Sequence, residues 1–420
     1  MEKAKQILIN LLKKSERYTK TDMVYLFKSN FWLNLNKVFS IANGFILSIA
    51  FANLISKEDY GVYTFVLAII GLFSMAPTTA LGNGIAKESA NGNHAIIFEG
   101  LRKIMPWSIL SGSILFIVGI YYGINQNLTL FACLSLAGLA LPILISSSVA
   151  KSFLSSVGDF RALASFNGLR TPFMTIALVL TLLLSRSVLV VIVVYIIGNL
   201  ILGILLYRSV IKKYNLKNSG QYSGNFAGKY GFHTGLISLF SYFSNEIDAF
   251  LLWKLLGAGP LALYTYAIAP VREIRGLIEN QSAIALPKFA QRDFELIKTN
   301  LGHKIKHLYF ITVPIAILYV LLAPFIFSVF FPQYLESVIY TQIVTISLLS
   351  APRHLMSAAI SAHQKIKESY IMTIGPNIAK ILAMIILIPI YGILGAIFAL
   401  IITEIIEYII LGILIKTAKN

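Results

Sequence analysis

The sequence is poor in almost everything that a water-soluble domain uses. A single cysteine, Cys133, stands among 420 residues, so no disulfide framework organises the chain. Asp and Glu together number 18, and charged residues of both signs make up only 13%, against about 25% in soluble domains. No Gly-x-x-x-x-Gly-Lys-Ser/Thr run and no His-Glu-x-x-His run occurs, which removes the phosphate-cradling loop and the zinc-binding helix. His94, His233, His354 and His363 are scattered. His303 and His307 share an i, i+4 spacing but enclose Lys304 and Lys306, a poor setting for a cation. No polar stretch is long enough for a nucleotide-binding or external catalytic domain, so a membrane glycan polymerase or ligase is disfavoured and the chain reads as no enzyme.

What is abundant is apolar sequence, at 57% of residues and a mean hydropathy of +0.77. A helix needs about 20 mostly apolar residues to cross a hydrocarbon core of roughly 30 Å. Such runs fall at 31–55, 62–82, 104–123, 128–150, 170–185, 187–207, 231–256, 261–284, 307–331, 337–362, 369–390 and 393–415, the short fifth being open to an earlier start within 162–169. The fold class read from them is an all-α polytopic membrane protein with about twelve transmembrane helices. The formal charge of +17 is a topology signal, because the basic residues punctuate the apolar runs, and no nucleic acid is expected as a partner. With the N-terminus inside, 27 of the 35 Lys and Arg fall in cytoplasmic segments and three (Lys57, Arg186, Lys254) on the other side. That asymmetry predicts both termini in the cytoplasm.

The organisation expected is a cytoplasmic amphipathic segment over 1–26, a six-helix bundle over 27–207, a cytoplasmic linker over 208–230 and a second six-helix bundle over 231–420. Ala4, Ile7, Leu8, Leu11 and Leu12 alternate at helical spacing with Lys13, Lys14 and Arg17 beside them, a pattern suited to the anionic lipids of the inner leaflet. The halves echo one another. Val62-Tyr63-Thr64-Phe65-Val66-Leu67-Ala68 matches Leu263-Tyr264-Thr265-Tyr266-Ala267-Ile268-Ala269 at an offset of 201 residues. Six spans per half make these parallel repeats about an axis normal to the membrane.

Ionisable groups at bilayer depth are costly and are functional candidates by default. Here they are Lys37, Arg272, Arg275, Arg353 and Lys380 with Glu246, Asp248, Glu273, Glu279, Glu404 and Glu407. Glu246 and Arg272 each lie about 15 Å from the outer ends of their spans and can meet at the midplane. Arg272, Arg275 and Glu279 share one helix face, which must line a cavity or a packed interface. Pro270 is a candidate hinge. Arginine suits phosphate through its planar fork of donors, so Arg272, Arg275 and Arg353 are candidate substrate ligands. Lys37 either joins them or snorkels to the interface. Glu246, Asp248 and Glu279 are candidates for coupling to H⁺ or Na⁺, with no other cofactor expected. Lys380 and Glu404, at equal depth on adjacent spans, are expected to form a structural ion pair, with Glu407 one turn inward of Glu404.

Several segments then suggest a family. Phe31-Trp32-Leu33-Asn34-Leu35-Asn36, the run Phe51-Ala52-Asn53-Leu54-Ile55-Ser56-Lys57-Glu58-Asp59-Tyr60-Gly61-Val62-Tyr63, and Asp248-Ala249-Phe250-Leu251-Leu252 followed by Tyr264-Thr265-Tyr266-Ala267 resemble the polysaccharide flippases. These are O-antigen and capsule exporters of the multidrug/oligosaccharidyl-lipid/polysaccharide superfamily. The resemblance implies two six-helix bundles around a central cavity in the bacterial cytoplasmic (inner) membrane. It implies a lipid-linked oligosaccharide as substrate, an undecaprenyl-pyrophosphate carrier crossing by alternating access, and other membrane proteins of polysaccharide assembly as partners. A drug/cation antiporter of the same architecture is the alternative.

Overall fold

The computed structural model describes residues 23–90, 94–216, 229–290, 294–362 and 366–417. The expected amphipathic segment therefore lies outside the described residues, apart from its last few positions. The first half contains α1 (Met23–Leu54), α2 (Lys57–Ala90), α3 (Ile96–Ile124), α4 (Leu128–Leu144), α5 (Ser146–Ser156), α6 (Phe160–Leu184) and α7 (Val188–Lys213). The second contains α8 (Lys229–Leu256), α9 (Ala258–Ala290), α10 (Phe294–Phe330), α11 (Ser337–Val344), α12 (Arg353–Ala362), α13 (Ile366–Tyr391) and α14 (Ile393–Thr417). Short 3-10 turns at Pro332–Tyr334 and Thr345–Ser350 flank α11.

These helices make twelve spans, because α4 with α5 and α11 with α12 each form one broken span. Pro142 lies in the last turn of α4, and proline removes a backbone bond and crowds the preceding turn. The second break bends the span by 40° and contains Pro352. Broken spans thus occupy the fourth place in both halves. Pro270 produces no break, and α9 runs past it as one helix.

Short loops join the helices on one side, at Ser56, Asn125–Asn127, Ser185–Ser187, Gly257, Phe331–Glu336 and Gly392; the mid-chain linker over 214–228 lies on the other, the linker side. Local chemistry sets these ends. Asn127 accepts from the Leu130 amide at 3.0 Å to cap α4, and Asp159 accepts from Ala162 at 3.1 Å to cap α6, as such side chains do for orphan amides. Gly257 holds φ at +95°, open to glycine at no steric cost.

By length and composition alone, eight helices suit a bilayer outright and the bent pair makes a ninth. These counts are of the described residues. Of the remaining three, α2 carries Lys57, Glu58 and Asp59 in its first turn and no charge at depth, whereas α8 and α9 carry charge there, Glu246 and Asp248 on α8 and Arg272, Glu273 and Arg275 on α9. They are also the helices through which the halves meet, α2 packing along α8 and α9. Elsewhere the surface is apolar, with Leu184, Phe310 and Ile124 among many fully exposed side chains, as lipid-facing positions are.

Small residues govern the closest packing. A Cβ on Gly112 of α3 would stand 2.4 Å from the Gly138 carbonyl of α4, and one on Gly61 of α2 would stand 2.0 Å from the Ala258 carbonyl of α9. The buried apolar residues form two clusters. One joins both halves towards the short-loop side and includes Phe51, Tyr63, Leu261, Tyr266 and Tyr334. The other belongs to the linker end of the second half alone, with Phe294, Leu301, Leu355 and Leu411.

Two sequence expectations about boundaries need correction. The fifth span begins at Phe160, not 170, so Arg170 sits about 15 Å along α6 rather than in a loop. There its guanidinium donates to Asn199 Oδ1 of α7 at 2.5 Å. The weakly apolar start Phe160-Arg161-Ala162-Leu163-Ala164 hid the first turns, whereas the Asp159 cap fixes them. Likewise α7 continues to Lys213, six residues into the expected linker.

Candidate functional site

A cavity of about 710 Å³ lies between the halves, walled by α2, α8, α9 and the helices of the second bundle. Tyr60, Tyr63 and Thr64 of α2 form one wall, and Tyr242, Asn245, Glu246 and Asp248 of α8 another. From α9 come Tyr264, Thr265, Arg272 and Arg275; Arg353, His354 and Lys380 complete the polar lining. The sequence-predicted residues Arg272, Arg275, Arg353, Glu246 and Asp248 are therefore brought to one chamber.

Their electrostatic situations differ. Arg275 Nη1 pairs with Glu404 Oε1 at 2.5 Å and its guanidinium also donates to Ser347. Arg353 lies 3.5 Å from the other Glu404 oxygen and 3.0 Å from Glu407. Ser350 accepts from Arg353 at 2.5 Å and donates to Glu404 at 2.7 Å. The broken span is the reason these groups meet, because the turn at Thr345–Ser350 presents Ser347, Ser350 and the first residue of α12 to α9 and α14. Arg353 and Glu404 are almost wholly buried, so each depends on the other for its charge.

A second network is separate. Asp248 accepts from the Tyr264 hydroxyl at 2.8 Å and lies 4.0 Å from Lys380 Nζ, which donates to the Ser244 carbonyl at 2.6 Å. Lys380 thus does not pair with Glu404, as equal depth had suggested. Depth fixes height in the membrane but not the direction a side chain takes around its helix. On α13 Lys380 faces α8, while on α14 Glu404 faces α9 and α12.

Arg272 and Glu246 stand apart from both networks. Both line the cavity and each feels the other's charge, but among the described residues neither makes a hydrogen bond or ion pair. The expected meeting of the two at the midplane is a shared chamber rather than a contact. Lys37 does not reach the cavity. It pairs with Glu273 of α9 at 2.8 Å, a tie between halves that depth arguments missed because Glu273 lies off the Arg272–Arg275 face. The Glu279 side chain lies outside the described residues.

The short-loop end of the chamber is shut. Tyr266 stacks on Tyr334 with centroids 3.8 Å apart and on Tyr60 at 4.8 Å. Its hydroxyl donates to the Ser48 carbonyl at 2.8 Å. Asn53 donates to the Phe330 carbonyl at 3.1 Å, and Lys57 pairs with Glu336 at 2.8 Å. The lining tyrosines were not singled out as site residues by sequence, although the internal echo contains them: Tyr63 and Thr64 align with Tyr264 and Thr265, and all four line the cavity.

No group of three or more His, Cys, Asp or Glu among the described residues is arranged to hold a metal ion.

Residues 26–292 match the family model described as polysaccharide biosynthesis protein. No curated protein matches the chain in sequence. In fold it is similar to a lipid II flippase MurJ in an inward closed conformation, with a TM-score of 0.70 and 15% identity over 93% of this chain and 88% of that one. It is also similar to an inward-facing multidrug resistance MATE family transporter, with a TM-score of 0.64 and 14% identity over 90% and 96%. A MOP superfamily transporter from Pyrococcus furiosus, described as having a binding pocket of reversed polarity, gives 0.62 and 13% over 93% and 96%. The architecture is thus that of a multi-pass membrane transporter in two bundles, and the chain belongs to the polysaccharide biosynthesis protein family, within the multidrug/oligosaccharidyl-lipid/polysaccharide exporter superfamily.

Proposed function

We propose that the protein flips an undecaprenyl-pyrophosphate-linked oligosaccharide, an O-antigen or capsule repeat unit, across the bacterial cytoplasmic membrane. The linker side faces the cytoplasm, in keeping with its excess of Lys and Arg. The observation that carries this reading is Arg272, a mid-membrane guanidinium facing the cavity with no carboxylate bound to it among the described residues. A cation in that position is expensive unless an anion visits, and its planar fork fits a pyrophosphate. Arg275 and Arg353, already tied to Glu404, position the wall and add field rather than free donors. Tyr60, Tyr63, Tyr242 and Tyr264 offer the apolar faces and hydroxyls that a sugar chain requires, while the isoprenoid tail stays in lipid.

With the short-loop end shut, the lipid head enters from the linker side, and rocking of the halves then exposes the chamber outward. Glu246 takes up the coupling H⁺ or Na⁺, since among the described residues no hydrogen bond or ion pair fixes its carboxylate, and Asp248 is its partner on the same helix. Glu246 and Asp248 also support the second reading, a drug/cation antiporter, which would use the acids and have no need of Arg272.

Arg272→Gln separates the two. It is expected to cut delivery of lipid-linked glycan in cells roughly 10–100-fold, the cost of one charge-assisted contact, while membrane insertion is unchanged and Arg272→Lys retains part of the activity. Undiminished surface glycan in a well-inserted Arg272→Gln protein would remove the proposal, and drug efflux by the wild type that survives this change would establish the alternative.

A further inference from the structure

A second cavity, about 510 Å³, lies away from the chamber on the outside of the first bundle, between the linker-side halves of α6 and α7 with Leu154 of α5 beneath it. The two helices touch at Met174 against Gly198 and through Arg170 and Asn199. From there to the linker end they stand apart. At the linker end they are tied again, by Asp159 to Lys213 and Tyr214, so they stand apart only in between. Leu169, Phe173 and Leu205 on its lips are 75%, 56% and 52% exposed, so the groove opens onto lipid.

Its charge is one-sided. Ser165, Leu169 and Phe173 line the groove from α6, with Arg161 one turn nearer the linker end on the same face. Leu205 and Ser209 line it from α7, with Arg208 and Lys212 beside them at the rim, outside the lining. Arg161, Arg208, Lys212 and Lys213 are all exposed at the linker end. The carboxylate among them is Asp159, which is occupied by Lys213 and Tyr214. From Ala162 to Phe173 the groove runs about 16 Å, half of a hydrocarbon core of roughly 30 Å.

We infer that this groove is a binding site for an anionic phospholipid of the linker-side leaflet, one acyl chain lying between α6 and α7 and the phosphate held by Arg161, Arg208 and Lys212. Basic pockets between transmembrane helices recognise such head groups. The length favours this occupant, since a depth of one leaflet matches a phospholipid chain and the far longer undecaprenyl chain would overrun it. The Arg170–Asn199 contact closes the inner end. The site is independent of the transport reading, because it shares no residue with the central chamber.

The test is native mass spectrometry of the purified full chain, titrated with phosphatidylglycerol and with phosphatidylcholine of matched acyl chains. One phosphatidylglycerol should be retained in preference. Replacing Arg161, Arg208 and Lys212 with Gln should weaken that retention roughly fivefold for each cation removed. Ala162→Trp, which fills the groove and leaves the charges in place, should lose the bound lipid, while Arg186→Gln on the opposite side changes nothing. Equal retention of the two lipids would overturn the inference, as would retention unaffected by Ala162→Trp, or displacement of phosphatidylglycerol by undecaprenyl phosphate at equal concentration.

Discussion

The two halves of this protein share a scaffold and differ in where they keep their charge. In the first half the ion pairs sit at the rims: Glu99 with Lys103, Asp159 with Lys213, Lys57 reaching across to Glu336. In the second they sit at depth, in the Arg275–Glu404–Arg353 network and the Asp248–Lys380 pair. The internal echo makes the contrast residue by residue. At the offset that aligns Tyr63 with Tyr264, Arg272 corresponds to Gly71 and Arg275 to Ser74. Gly71 leaves room opposite, so that a Cβ there would stand 4.0 Å from Glu246 Oε1. One half therefore supplies space and aromatic surface, and the other supplies fixed charge. A lipid-linked anion needs both, and a symmetrical pair of charged walls would repel or trap it.

The sharpest test of that contrast removes one carboxylate from each half. Glu404→Ala should destabilise the protein by about 3–5 kcal/mol, because it removes the carboxylate shared by two buried guanidinium groups. Glu99→Ala removes a carboxylate that is equally buried, but its partner Lys103 is partly exposed and rehydrates, so the loss should be smaller, about 1 kcal/mol. Thermal unfolding in detergent reads both, and equal losses would mean that the first half is held by buried charge after all.

Next in size is the seam between the halves. Gly61→Leu places side-chain atoms where the Ala258 carbonyl stands 2.0 Å from a Cβ, an overpacking expected to cost about 1–3 kcal/mol. Because the clash lies at the shut end, it should also favour opening there. Labelling of Thr64→Cys by a membrane-impermeant thiol reagent added from the short-loop side should then rise in the Gly61→Leu background. Cys133 is buried and contributes no signal of its own. Unchanged labelling would show that the stacked tyrosines alone keep this end closed.

Smaller again is the tie at Lys37. Exchanging the charges, Lys37→Glu with Glu273→Lys, should restore most of what either change alone removes, an amount of about 0.2–1 kcal/mol for a half-exposed pair. A double-mutant cycle measures it, and zero coupling would leave the halves joined by packing and the short-loop contacts only.

Much of this arrangement was legible in the sequence, for specific reasons. Span number and the mid-chain division follow from hydropathy, and the depth of Glu246, Arg272 and Arg275 follows from a fixed rise per residue. Their convergence on one chamber followed from the intolerance of lipid for such a face. The pairing of Lys380 and Glu404 failed because rise says nothing about azimuth. Ser347 and Ser350 were missed because their role depends on a break in a span, at Ala351–Pro352, that hydropathy alone does not mark. Arg170 was misplaced because a span that opens with Arg161 and Ala162 does not announce itself by hydropathy, only by the Asp159 cap.

That same cap carries the smallest expected effect and the rim side of the comparison. Burial by itself would raise the Asp159 carboxyl, but hydrogen bonds from Lys213, Tyr214 and the Ala162 amide outweigh it and hold the group below its ordinary value. A carboxyl lowered on folding contributes stability that is complete above its unfolded value near 4 and fades as pH falls through the folded one. Tyr214 closes the window from the other end: burial, and then Asp159 itself, push its phenol up to about 12. Its share is complete below the ordinary value near 10 and fades as pH climbs towards 12. Asp159→Asn should therefore flatten the acid limb of the stability profile and bring the alkaline limb to lower pH, each by about 1 kcal/mol or less. Glu404→Gln should move the midpoint of unfolding at every pH between those limbs. Asn caps a helix as well as Asp does, so if Asp159→Asn left both limbs unchanged, the carboxylate would be acting as a helix cap alone, and the rim charges of the first half would be capping devices rather than electrostatic ones.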